Sequence, residues 1–173
     1  MNENKNSKLA VYPGSFDPIT YGHLDIIRRA RNIFGQVVVA ITRNFGKNSF
    51  LDLKEREKLV RQSLDELNLQ KNVKVDVFDG LLVDYLKKIN ANIVIRGIRF
   101  ISDFEYEFQM ALINRHLYSK IETVYLMPDE RYLHLSSSIV REIALLGSAP
   151  RDFVPACVAS VLSLKIKKTS RIS

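Results

Sequence analysis

One cysteine, no tryptophan, seven glycines and five prolines among 173 residues exclude several designs at once. Cys157 has no partner for an internal disulfide, and no Cys/His cluster has zinc-ligand spacing, so neither kind of staple holds the chain. Its neighbours Val154, Ala156, Val158 and Val161 point to a buried, inert thiol. Glycine and proline are too sparse for collagen-like or linker-rich chains. The longest mostly apolar segment, Val154–Leu164, contains Pro155, Ser160 and Ser163 and is too short to span a bilayer. Residues 1–8 are polar and lack the apolar stretch of a secretory signal, which predicts a cytoplasmic protein.

What is present is ordinary for one soluble domain: 46% hydrophobic and 26% charged residues. The net charge of +7 raises nucleic acid, an anionic membrane surface or a phosphorylated small molecule as partner. Its distribution decides among them. Residues 1–8 and 165–173 together hold a net +5, whereas residues 9–164 carry 20 basic and 18 acidic side chains. No basic stripe interleaved with aromatics crosses the body, as a nucleic-acid module would require. The chain divides into a polar lead (1–8), a globular body (9–164) and a basic tail (165–173). Membrane attachment through the segment after Val154 is the other rival that the charge raises.

Two hydrophobic periods alternate along the body. Short β-branched runs at Leu9–Tyr12, Val37–Thr42, Val73–Phe78, Ile93–Ile95 and Thr123–Met127 read as strands. Between them, apolar residues recur three and four apart: Leu24, Ile27, Ala30, Ile33 and Phe34; Leu53, Leu59, Leu64 and Leu67; Phe104, Phe108, Ala111 and Leu112. These predict amphipathic helices, with shorter ones at Leu81–Ile89 and Ser138–Leu146. The pattern predicts a single-domain α/β fold: a Rossmann-like, doubly wound, five-stranded parallel sheet followed by C-terminal helices. Ligands bind such sheets beyond the carboxyl ends of the strands, so the strand-to-helix turns carry the function.

The first turn runs Pro13-Gly14-Ser15-Phe16-Asp17-Pro18-Ile19-Thr20-Tyr21-Gly22-His23 and opens a helix near His23. A helix start attracts phosphate through its free N–H groups and dipole. Neither a Walker loop nor G-x-G-x-x-G is present. Singly, Gly14, Pro18 and Gly22 mean turn punctuation, and His23 alone would be a helix-end residue. Together, Thr20-Tyr21-Gly22-His23 resembles the (H/T)-x-G-H signature of the nucleotidyltransferase superfamily. The whole string from Tyr12 to His23 resembles its phosphopantetheine adenylyltransferase family, bacterial type. Ile95-Arg96-Gly97-Ile98-Arg99 followed by Asp103-Phe104-Glu105-Tyr106-Glu107 matches that family too, as does Leu135-Ser136-Ser137-Ser138-Ile139-Val140-Arg141, where Leu135 replaces the usual isoleucine. Ser15 stands where threonine is common and Tyr21 where asparagine is frequent. The eight-residue lead is longer than usual.

The resemblance implies adenylyl transfer from ATP to 4′-phosphopantetheine, giving dephospho-coenzyme A and pyrophosphate in coenzyme A biosynthesis. It makes His23 the transition-state donor, and it puts Lys47 on both the acceptor phosphate and the transferred group. Ser15, Leu82 and Arg96 would complete the acceptor site. Ser15, Phe16, His23, Gly97, Ile98, Arg99 and Glu107 would bind ATP, with Tyr132, Leu133, His134, Leu135, Ser136, Ser137 and Ser138 from the later segment. Mg²⁺ would accompany ATP, and no carboxylate cage for a metal stands out. The family also implies a homohexamer, with free coenzyme A as an inhibitor. From the residues alone, Lys47 could be solvated loop, Asp103, Glu105 and Glu107 could be helix-start charges, and Ser136–Ser138 could be an N-cap. A relative acting on nicotinate mononucleotide or glycerol phosphate is the nearest alternative.

Overall fold

The computed structural model describes residues 8–43 and 49–169. Five strands, β1 (Lys8–Gly14), β2 (Gly35–Thr42), β3 (Val73–Phe78), β4 (Ile93–Gly97) and β5 (Glu122–Leu126), form one parallel sheet in the order β3-β2-β1-β4-β5. Six helices connect or follow them: α1 (Tyr21–Phe34), α2 (Leu53–Glu66), α3 (Leu82–Lys88), α4 (Ile101–Leu117), α5 (Ser137–Leu145) and α6 (Ala156–Thr169). This is the doubly wound sheet that the alternating periods predict.

Strand alternation divides the core in two. Ala10 and Tyr12, Val37, Val39 and Ile41, and Ile93 and Ile95 pack on one face with α1, α2, α5 and α6. Val11, Val38, Ala40 and Val94 face the other way, onto Val83, Tyr85 and Leu86 of α3. Strands buried on both sides are thus apolar almost without interruption. Glycine is required at residue 35, where φ is 85° as α1 ends and β2 begins without a connecting loop.

One sequence expectation fails here. The stripe Phe104–Phe108–Ala111–Leu112 does not face the core: no residue of α4 is buried, and Phe104, Phe108 and Leu112 are 44%, 46% and 51% exposed. Helix α4 meets β5 through the Phe104–Tyr125 ring pair, but its apolar residues lie all round it and one chain covers only one side. Ile33 likewise faces solvent. Helix α6 runs to Thr169, so its last turns carry basic residues. Lys165 is tied down there, donating to the Phe50 carbonyl (3.2 Å) and to Glu55 Oε2 (2.9 Å). Cys157 is half-buried beside Ser63 (3.5 Å), and burial raises its pKa, which keeps the thiol protonated.

Candidate active site

The chain reverses direction across the sheet between β1 and β4, so a crevice opens beyond their carboxyl ends. A cavity of about 290 Å³ occupies it, between the N-termini of α1 and α5.

The turn after β1 is shaped by contacts far apart in sequence. A Cβ on Gly14 would lie 3.0 Å from the Phe16 ring, so glycine lets the chain fold back on itself. Phe16 adopts φ 46°, a left-handed conformation costing about 1–2 kcal/mol for a residue with a side chain. Its buried ring sits edge-on to His23 and Tyr12, with centroids 5.3 and 5.5 Å away. The buried Asp17 carboxylate accepts the amides of Phe50 (2.9 Å) and Leu51 (2.8 Å). Two groups from α5 lock the other side: Arg141 Nη1 donates to the Asp17 carbonyl (2.6 Å) and Ser137 Oγ to the Pro18 carbonyl (2.7 Å). The two helix starts are therefore bolted into one rim.

His23 has two duties. Thr20 caps α1, and His23 closes the capping box from the third helical position. Its Nδ1 accepts the Thr20 amide at 3.1 Å, which leaves the proton of the neutral ring on Nε2. Burial first, then the positive charges of Arg99 and Arg96, push the imidazole pKa down to about 4. The ring is a neutral N–H donor lining the cavity, and the helix-end and site roles of this histidine coexist.

Arg96 reaches Glu107 with a bidentate fork, Nε to Oε2 at 2.6 Å and Nη2 to Oε1, while Nη1 donates to the Pro13 carbonyl at 2.9 Å. Arg99 is braced by Asp103 and by the Leu135 carbonyl (3.0 Å). Asp103 is therefore more than a helix-start charge. Ser136 is the N-cap of α5, accepting from the Ile139 amide (3.1 Å), and Ser138 accepts from Arg141 (3.1 Å). Each of the three serines thus has its own partner.

A second cavity, about 480 Å³, lies between β4, α3 and α4. Phe78, Leu82, Val83, Met110, Ile113 and Leu117 give it an apolar lining. Among the described residues, only Pro13, Gly14, Ser15 and Arg96 line both cavities.

The first cavity gathers Ser15, Phe16, His23, Gly97, Arg99, Tyr132, Leu135, Ser136, Ser137 and Ser138 from the sequence-derived set. Leu82 and Glu107 line the second. Ile98, Leu133 and His134 line neither; Ile98 is buried just past the end of β4, and His134 packs edge-on to Phe153 (5.5 Å). Lys47 lies outside the described residues. Sequence reading gave no separate role to Tyr12, Asp17 or Arg141, and it placed Thr20 in the signature without its capping role. That role could have been found, because T-x-x-H places a cap and its partner at box spacing. The others act across the fold and leave no local signal.

Helix starts that converge on a switch-point crevice, with a neutral imidazole donor and two arginines between them, define a nucleotidyltransferase. In agreement, a family model described as cytidylyltransferase-like matches residues 11–143. Solved structures share the fold: a bifunctional NMN adenylyltransferase/ADP ribose pyrophosphatase from Francisella tularensis superposes with a TM-score of 0.72 at 13% identity, over 93% of this chain and 50% of that one. Sequence relatives narrow the family. The phosphopantetheine adenylyltransferase of Caldanaerobacter subterraneus subsp. tengcongensis is 49% identical over 162 residues, covering 94% of this chain and 99% of that protein. The enzyme of the same name from Dictyoglomus turgidum is 52% identical over 158 residues, covering 91% and 97%. The chain belongs to the phosphopantetheine adenylyltransferase family.

Proposed function

We propose that the chain transfers the adenylyl group of ATP to 4′-phosphopantetheine, reversibly, releasing pyrophosphate and dephospho-coenzyme A. One observation carries this reading: a cavity between two helix N-termini meets an apolar-lined cavity at Ser15 and Arg96. The first suits a triphosphate. The second suits a pantetheine arm whose phosphate end reaches the junction, with Leu82 in its wall.

The acceptor phosphate is ionised at neutral pH, so the protein need not supply a base. Its oxygen forms a bond to the α-phosphorus of ATP in line with the leaving pyrophosphate, whose bridging oxygen keeps the electron pair of the broken bond. No covalent enzyme intermediate is needed. Ser15, Arg96 and Lys47 hold the attacking phosphate, and Glu107 keeps the Arg96 fork in place. His23 Nε2–H donates to the α-phosphate oxygens as charge builds, and Arg99 with the α5 N-terminus holds the β- and γ-phosphates.

ATP brings Mg²⁺ in this reading, to neutralise charge on the triphosphate. No Asp or Glu lines the first cavity, and among the described residues no cluster of three or more His, Cys, Asp or Glu could hold a metal. Its serine, histidine and arginine donors suit phosphate oxygens, so phosphates and water would hold the ion. No helix of the described residues is long and apolar enough to cross a membrane. The enzyme works in the cytoplasm as a homohexamer in this reading, and the uncovered apolar face of α4 supports self-association.

The test is pyrophosphate release from ATP with 4′-phosphopantetheine, nicotinate mononucleotide, glycerol phosphate or no acceptor. Release only with 4′-phosphopantetheine is expected. Equal or faster release with another acceptor overturns the substrate assignment.

A further inference from the structure

Arg56, on α2, lines neither cavity and has no part in the reaction as drawn above. It is nevertheless 2% exposed. Its Nη1 donates to the Ser15 carbonyl at 2.8 Å and the Thr42 carbonyl at 3.0 Å, and its Nε is buried without an acceptor. Ser15 follows β1 directly, and Thr42 is the last residue of β2, the neighbouring strand. The guanidinium therefore ties the carboxyl ends of two adjacent strands together, 41 residues from Ser15 in sequence.

Packing alone does not explain this arrangement. A buried guanidinium with one N–H unpaired is costly to desolvate, and its return is the pairing of two strand-end carbonyls, one of them in the turn after β1. Nor is the charge cancelled by pairing. Among the described residues, Asp17 and Asp52 are the carboxylates whose field reaches Arg56. Neither makes a direct ion pair with it: the Asp17 carboxylate is shared with Arg141, whose Nη1 lies 4.0 Å from Oδ2, and Asp52 caps α2 by accepting the Glu55 amide. Arg96, by contrast, is matched by Glu107.

We propose that Arg56 is a positioning residue for adenylyl transfer: it fixes the Ser15 carbonyl, and with it the phosphate-binding turn, while keeping beneath the junction of the two cavities a positive charge that has no direct ion pair among the described residues. The catalytic half of this inference rests on the adenylyl-transfer reading; the electrostatic half requires only that the crevice bind phosphates.

Three substitutions in the full chain separate geometry from charge. Arg56→Met fills the space without charge or donors. It is expected to lower kcat about 10–100-fold, as displaced catalytic groups do, and to weaken pyrophosphate binding about tenfold, as loss of a nearby positive charge does. Arg56→Lys keeps the charge but not the fork, so pyrophosphate affinity recovers while kcat stays low. Arg56→Ala regains turnover with added ethylguanidinium and not with ethylammonium. Wild-type kcat in Arg56→Met overturns the proposal, as does a loss that simply follows the thermal midpoint and resists ethylguanidinium. If Arg56→Met does not fold, wild-type kcat in Arg56→Lys overturns it instead. If the wild-type chain releases no pyrophosphate with any acceptor, the function reading fails first. Unchanged pyrophosphate affinity in Arg56→Met, or in Arg56→Ala if Met does not fold, then overturns the electrostatic half on its own.

Discussion

Replacing His23 with asparagine should separate the two duties of this residue. The asparagine Oδ1 falls near the position of imidazole Nδ1 and can accept the Thr20 amide that Nδ1 now accepts at 3.1 Å. The capping box survives, but nothing replaces the Nε2–H donor. Alanine removes both. A lost capping contact costs about 1 kcal/mol of stability, and a lost transition-state donor costs about 10²–10³ in rate. His23→Asn is therefore expected to keep stability within about 0.5 kcal/mol of wild type at pH 7 while turnover falls about 10²–10³-fold. His23→Ala should show the same loss of turnover and lose about 1 kcal/mol as well. Acid adds a further signature. The folded ring titrates at about 4, below the ordinary 6.5, so between these values the unfolded chain binds a proton that the native protein does not. Stability then falls as pH drops from about 6.5 to 4, by about 3 kcal/mol in all. Both variants should lack that contribution. Urea denaturation at pH 7 and 5, with pyrophosphate release at saturating substrates, measures each quantity. Wild-type turnover in His23→Asn, or an undiminished acid slope in both variants, refutes the reasoning.

Other substitutions test the surrounding geometry. Arg96→Lys removes the fork that engages Glu107 and the Pro13 carbonyl and should raise the KM for 4′-phosphopantetheine about tenfold with a smaller change for ATP, read from steady-state kinetics. Gly14→Ala should press a methyl onto the Phe16 ring and, through it, onto His23; it should lower the thermal midpoint and turnover together. Phe108→Asp places a charge on the uncovered face of α4, and light scattering should show a smaller assembly than wild type.

Most of the fold was legible because both helix and strand signals are local. The run Val73–Phe78 is the observed extent of β3, and every other expected strand overlaps an observed one. Helix α4 was misread because an apolar repeat reports that a face needs covering, not what covers it. Phe104 and Phe108 stack on each other (5.6 Å) but remain half exposed within one chain. The contacts of Lys165 were illegible for a related reason: Glu55 and the Phe50 carbonyl that hold it lie more than a hundred residues away.

By itself, the sequence determined the parallel α/β architecture and the turns that lead from strand to helix, because strand periodicity and a helix start act through neighbours along the chain. It also carried the family resemblance, in the strings around His23, Arg96 and Ser136–Ser138. Only the tertiary structure decided how these parts work together: the proton of His23 on Nε2, the bolting of α5 to the first turn through Arg141 and Ser137, and Glu107 on the Arg96 fork. It alone placed a buried Arg56 under Ser15. These contacts depend on burial and on groups up to 124 residues apart. No spacing along the chain encodes either.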